Sequence, residues 1–360
     1  MFETMGFENL TPKGASVWLG LGLGLAFGVL AEITRFCLRR GLVGAGRDRR
    51  PALGVWFIAF AVALAGTQAA VALGWIGFGS HRFLAAELPW LAVLGGGAAF
   101  GAGMVLTRGC ASRLSVLAAS GNLRAATVLV VFAITAHATL KGALAPLRTA
   151  LGSFTVPLGE AASLAALPGG AAFWTALGVT GLVAFAARSG AGWRLLLPAG
   201  AIGALVPAGW AGTGLLLFDE FDPIAMQSLS FTAPATETLF WTIAGTAVPA
   251  GFGTGLVGGV LGGALASALI ARRFRWQSFE SSAQTGRYLA GAVLMGFGGV
   301  LAGGCTVGAG LSGIPTLSVA AILAVLAMAG GAIATDRLIS ARYRGGSDAP
   351  STTPPLQPAE

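Results

Sequence analysis

Apolar stretches of membrane-spanning length follow one another along most of this chain, at 15–36, 52–74, 91–107, 124–141, 172–188, 194–217, 238–257, 258–271, 288–302 and 316–336. About 20 such residues in helical form cross a bilayer. Several stretches here are too short, or too interrupted by Gly and Pro, to be simple spans, which sets the expected number at eight to ten. Charge cannot cover this surface for water: only 10% of the 360 residues are charged, against 55% hydrophobic, where a soluble domain carries about 25% charge. A soluble enzyme, a nucleic-acid binder and a disordered chain are excluded together. The apolar runs are continuous and lack the alternation of a β-barrel. The expected class is an all-α polytopic membrane protein lying in a lipid bilayer. Its 57 glycines fit close helix packing and spans broken where they line a cavity.

The net charge of +8 reads as topology rather than as a nucleic-acid footprint, because cytoplasmic loops of membrane proteins collect Lys and Arg. Arg39, Arg40, Arg47, Arg49 and Arg50 follow the first span; Arg272, Arg273, Arg275 and Arg287 occupy 271–287; Arg337, Arg342 and Arg344 close the last span. All three segments are placed inside. The N-terminal tail with Glu3, Glu8 and Lys13, and the acidic loop 219–237, are placed outside. N-terminus out and C-terminus in require an odd number of spans, hence nine. The first apolar stretch is too long for a signal peptide and lacks a basic start. The expected organisation is a periplasmic tail at 1–14, a transmembrane domain at 15–340 and a disordered cytoplasmic tail at 341–360, poor in apolar residues.

The most informative pattern is internal. Residues 101–110 read GAGMVLTRGC and residues 296–305 read GFGGVLAGGC, at an offset of 195. Duplicated halves, here about 15–141 and 194–336 joined by 142–193, are common in transporters, which hold substrate between the repeats. In each copy an apolar run ends in Gly-Cys and a small polar stretch follows. This spacing predicts a helix broken at the cysteine within the membrane. A half-helix beginning there aims free N–H groups and the positive end of its dipole at the break, which favours an anion.

The chain has three cysteines, Cys37, Cys110 and Cys305. A cysteine in a membrane helix is ordinarily a small hydrophobe. These three lie beside Gly, Arg or Ser/Thr at breaks or span ends. Arg35 precedes Cys37, while Arg108 and Arg113 bracket Cys110. Neighbouring cations favour the thiolate and raise reactivity; the same arginines also suit interfacial anchoring. An odd number of cysteines cannot pair completely. The two histidines, His81 and His137, stand far from all of them, so no metal site and no cofactor is expected, and each histidine reads as a packing residue. Glu32, one turn before Cys37, is expected to pair with the nearby arginines.

RFC at 35–37, RGCASRLSVLAASGNLRA at 108–125 and GRYLAGAVLMGFGGVLAGGCTVGAGLSG at 286–313 resemble the YeeE/YedE family of membrane transporters. The likeness spans about 15–340, excluding 141–170 and 219–237. It implies an hourglass-like helical bundle with re-entrant half-helices, and uptake of thiosulfate or a related sulfur anion across the bacterial inner membrane. It also implies a constricted path lined by cysteines matching Cys37, Cys110 and Cys305, and a small cytoplasmic sulfur-carrier partner of the TusA type. Gly109, Gly304, Ser112, Arg113, Thr306 and Ser312 flank those cysteines and complete the expected substrate-binding set. Here Arg108-Gly109 precedes the second cysteine where Gly303-Gly304 precedes the third, so the path is expected to be asymmetric. The reading is of a transporter and not an enzyme. Other sulfur or selenium species, sulfite among them, are alternative substrates; a membrane redox protein cycling Cys110 and Cys305 as a dithiol is an alternative class.

Overall fold

The computed structural model describes residues 11–44, 46–79 and 81–345, the last four as backbone alone. The tail expectations for 1–10 and 346–360, including Glu3 and Glu8, lie outside the described residues. Three quarters of the described residues are helical. Among the described residues nine segments are long and apolar enough to cross a membrane, as the charge pattern requires. The protein is an all-α, multi-pass membrane protein.

The helices are α1 (Pro12–Thr34), α2 (Leu38–Val43), α3 (Gly46–Ala72), α4 (Trp90–Leu106), α5 (Ala111–Ala119), α6 (Leu123–Lys141), α7 (Ala145–Gly152), α8 (Gly170–Ala187), α9 (Trp193–Ala211), α10 (Thr232–Ala244), α11 (Phe252–Ile270), α12 (Ser282–Leu301) and α13 (Val319–Gly345). A π-helical segment, Thr306–Gly313, follows α12, and a shorter one, Gly212–Leu216, continues α9. Two short strands, β1 (Glu87–Leu88) and β2 (Val156–Pro157), pair antiparallel in the connecting loops. The expected spans 238–257 and 258–271 are redrawn. The extended Gly251 caps one span, α11, which runs unbroken from Phe252 to Ile270, while α10 ends at Ala244 and crosses nothing. The composition of 238–271 is uniformly apolar and Gly-rich, so the boundary between the two was set by backbone geometry rather than by hydropathy.

Helix packing comes in matched pairs. Helix α1 lies along α11 as α9 lies along α3; α4 lies along α13 as α12 lies along α6; α2 sits on α3 as α10 sits on α11. The contacts α4–α12 and α1–α9 map onto themselves. Such swapping is what a two-fold relation between halves produces. We propose 15–141 and 194–336 as those halves, with 142–193 between them.

The tightest seam is α1 against α11. Gly20, Gly24 and Gly28 face Gly255, Gly259 and Gly263. A Cβ on Gly24 would land on the carbonyl oxygen of Leu256, and one on Gly259 on that of Leu21. Glycine at every fourth position lets the backbones touch, and in lipid this close packing replaces the hydrophobic drive. Gly22 and Gly258, on the other faces, meet nothing within 4 Å.

At one end of this seam Glu32, 8% exposed, pairs with Arg273 at 3.1 Å and receives Ser267 Oγ at 3.5 Å. The partner comes from the loop after α11 rather than from Arg35–Arg40. Because Arg273 is half exposed and Glu32 is not, the two deletions should differ. Glu32→Gln is expected to cost about 1 kcal/mol, and Arg273→Gln about 2 kcal/mol, since it strands a buried carboxylate. Thermal melts of the detergent-solubilised variants check the order.

Candidate functional site

Three helices stop inside the protein in the same way. Helix α1 ends at Arg35, whose φ of 52° is left-handed and whose N–H returns to the carbonyls of Ala31 and Glu32. Cys37 follows two residues later, extended, as the N-cap of α2. Helix α4 ends at Thr107, whose hydroxyl donates to Gly103 O at 2.9 Å and lies 3.0 Å from Gly109 O. Arg108 is left-handed at φ 60°, and Cys110 caps α5. Helix α12 ends at Ala302, Gly303 is left-handed at φ 76°, and Cys305 caps the π-helical segment. Every break therefore consists of a helix end, a left-handed residue and, two positions on, a cysteine at the start of the next helical piece. Glycine takes this conformation freely, whereas arginine pays roughly 1 kcal/mol.

The cysteines are free thiols, all buried. Cys37 and Cys110 lie within hydrogen-bonding reach of each other. Cys110 Sγ also lies 3.3 Å from Ser112 Oγ. Arg113, on α5, is close enough to Cys37, Glu32, Arg35 and Cys110 to feel their charges. Cys305 stands on the third break, in the same continuous buried cluster, where its sulfur accepts the Gly308 N–H at 3.4 Å. Thr306 is buried beside it. Ser312 donates to Leu229 O at 2.6 Å and so ties the π-helical segment to the extended stretch 228–231. Gly304 approaches the Ala309 N–H so closely that a Cβ would sit 2.8 Å from it, and Gly109 packs on Leu114. The nine expected residues thus fall into two groups. Cys37, Gly109, Cys110, Ser112 and Arg113 belong to one, and Gly304, Cys305, Thr306 and Ser312 to the other.

Helices α4 and α12 cross antiparallel between these groups. Gly96 packs against Leu301 and Ala302, and Gly103 against Gly291 and Met295. From Gly96 to Leu106 helix α4 rises about 15 Å, so the Cys110 break and the Cys305 break lie towards opposite ends of the crossing. Phe27 of α1 is fully buried. It takes Phe36 at 6.2 Å and Phe231 at 5.4 Å, one ring from each matched loop.

An open cleft of about 180 Å³ reaches the third break. It is lined by Arg82, Phe83, Glu87, Val93, Ala302 and Gly303. Arg82 is exposed and lies 5.0 Å over the Phe83 ring. Sequence reasoning missed this arginine, since a single base in a connecting loop carries no signal of its own. His81 beside it is held at about 4 by burial, and next by the charge of Arg82. It is therefore neutral near pH 7, where its Nδ1 accepts the Phe83 N–H. It packs edge-on to Trp210 at 5.2 Å, and His137 stacks on Phe240 at 3.6 Å. Both histidines are packing residues, as expected.

The family model for sulphur transport matches residues 33–334. The chain belongs to the YeeE/YedE sulphur transport family. The match runs from just before the first cysteine to the body of α13, so all three breaks fall within the part this transporter family shares. No curated protein matches the chain. Membership makes this a membrane protein of sulfur-compound transport; it does not name the compound.

Proposed function

We propose that this protein carries thiosulfate into the cytoplasm across a bacterial inner membrane, N-terminus periplasmic and C-terminus cytoplasmic, by handing the ion along Cys305, Cys37 and Cys110. The observation that carries the reading is the threefold recurrence of a buried cysteine at the start of a helical piece behind a left-handed residue. Packing alone asks for no such repetition, because a small hydrophobe serves equally well within an unbroken helix.

Thiosulfate has a soft terminal sulfur and a sulfonate end, with two negative charges between them. A throat of strong donors would trap it, since conduction needs weak and repeated sites. Thiols are weak S–H donors and suit the sulfur end. The N–H groups that open α5 and the π-helical segment, helped by Ser112 and Thr306, face the sulfonate, while Ser312 holds the π-helical segment in place. Arg35 and Arg108 are kept at a backbone cost that Gly303 avoids. That is understandable if cations near the Cys37–Cys110 pair draw the dianion inward, with Arg113 between them. The cleft at Arg82 is the entrance on the Cys305 side. No catalytic step is needed, and the ion leaves on the basic face, where a small TusA-type sulfur carrier would receive it.

The test is uptake of labelled thiosulfate by cells lacking their own sulfate and thiosulfate importers, with sulfite and selenite as competitors. Growth on thiosulfate as sole sulfur source, with weak competition, supports the reading. Transport of sulfite in preference to thiosulfate replaces the substrate.

A further inference from the structure

The matched packing pairs relate elements of one half to elements of the other, and at the offset of 195 the counterpart of Arg35-Phe36-Cys37 is Ser230-Phe231-Thr232. Three observations show that this correspondence is physical. Phe36 and Phe231 press on the same ring, that of Phe27. Cys37 precedes α2 and Thr232 begins α10, and α2 rests on α3 and α4 as α10 rests on α11 and α12. Both residues are buried, Cys37 at 8% and Thr232 at 5% exposure.

Among the described residues the Thr232 hydroxyl is buried and has no hydrogen-bond partner. Most threonines in this protein's helices donate to a carbonyl one turn back, as Thr135, Thr139 and Thr238 do; Thr232 opens its helix and has no such carbonyl. Leaving a buried hydroxyl unpaired costs stability. Valine has nearly the same shape without that cost, so the hydroxyl calls for a ligand. Its position says which. Thr232 Oγ1 lies 3.2 Å from the point where Gly299 would carry a Cβ, and Phe100 packs on the same point. That is the height at which α4 and α12 cross, between the two cysteine-bearing ends.

We propose that Thr232 is a further substrate-contacting donor of the throat, occupying in the second half the place that Cys37 occupies in the first, so that an anion leaving Cys305 meets a hydroxyl before it meets the Cys37–Cys110 pair. This rests on the thiosulfate reading above. A hydroxyl is a stronger donor than a thiol, so this station binds the sulfonate oxygens while the cysteines bind sulfur.

Uptake kinetics and melting temperature of Thr232→Val, Thr232→Ser and Thr232→Cys separate a ligand-binding hydroxyl from a packing residue. Valine keeps the shape and loses the donor, whereas serine keeps the donor and loses a methyl. The expected result is a KM for thiosulfate about tenfold higher in Thr232→Val, with a melting temperature equal to or above that of the unsubstituted protein. Thr232→Ser and Thr232→Cys stay within about twofold in KM. Wild-type kinetics in Thr232→Val, in a preparation where Cys110→Ala is inactive, overturns the role of Thr232 alone. So does a Thr232→Ser variant that loses stability and uptake together while Thr232→Val keeps both. Absence of thiosulfate uptake by the unsubstituted protein overturns the functional reading itself.

Discussion

Replacing Cys110 by alanine is expected to reduce thiosulfate uptake to that of membranes lacking the protein, a loss of about a hundredfold. Cys110 is 1% exposed, touches both Cys37 and Ser112, and starts a nine-residue helix whose first N–H groups have no partner within the helix. Its removal deletes a donor to the ion and breaks the thiol pair. A hydrogen bond to a charged group is worth about 1.5–3 kcal/mol, which is one to two decades in rate before any failure of hand-over is counted. The fold should survive, since trimming one buried sulfur leaves a small cavity costing about 1 kcal/mol. Transport assays on membranes with matched amounts of protein, together with a melt in detergent, measure both quantities. Normal uptake by Cys110→Ala at normal abundance would refute the thiol relay. Cys37→Ala and Cys305→Ala are expected to be equally or less damaging, because Cys37 keeps Cys110 as a neighbour on the same side.

The second large effect concerns assembly. Gly24→Leu and Gly259→Leu are expected to abolish the folded protein, because each side chain would have to occupy the space of a carbonyl on the facing helix. Even alanine at either position should cost about 3 kcal/mol through forced separation of α1 and α11. Gly22→Leu and Gly258→Leu, whose added atoms meet nothing, are controls for composition and helix propensity, and should be tolerated. Monodispersity on size-exclusion chromatography, followed across the four leucine variants, distinguishes a loss at the seam from a general intolerance of larger residues.

The fold class was legible because hydropathy and charge are summed over long windows, where local errors cancel. The breaks at Cys110 and Cys305 were legible because the two copies kept the same Gly-Cys ending. Cys37 was visible as part of the RFC motif, but the break before it was not, since its left-handed residue is Arg35 rather than glycine and no propensity argument places an arginine there. Thr232 was not visible at all: RFC and SFT share only a phenylalanine, and the equivalence emerges once both rings are seen on Phe27. The partner of Glu32 escaped for another reason. Arg273 is 241 residues away in sequence, and a basic loop chosen for topology gives no sign of which of its arginines turns inward. The reading of 238–271 as two stretches failed because glycines there serve both as interior packing residues and as the cap at Gly251.

The glycine seam has a mechanical consequence. With Cβ-less positions on each helix lodged against carbonyls of the other, α1 and α11 are meshed like two racks, and neither can slip along its neighbour without climbing out of register. Rocking one half against the other, the usual motion of carriers with inverted repeats, would have to shear this gearing. On the thiol relay proposed above, turnover then falls to what can rotate in place, the thiols and hydroxyls along the path flipping between rotamers. Such a device behaves as a selective sieve, its speed governed by side-chain hops rather than by swings of whole domains.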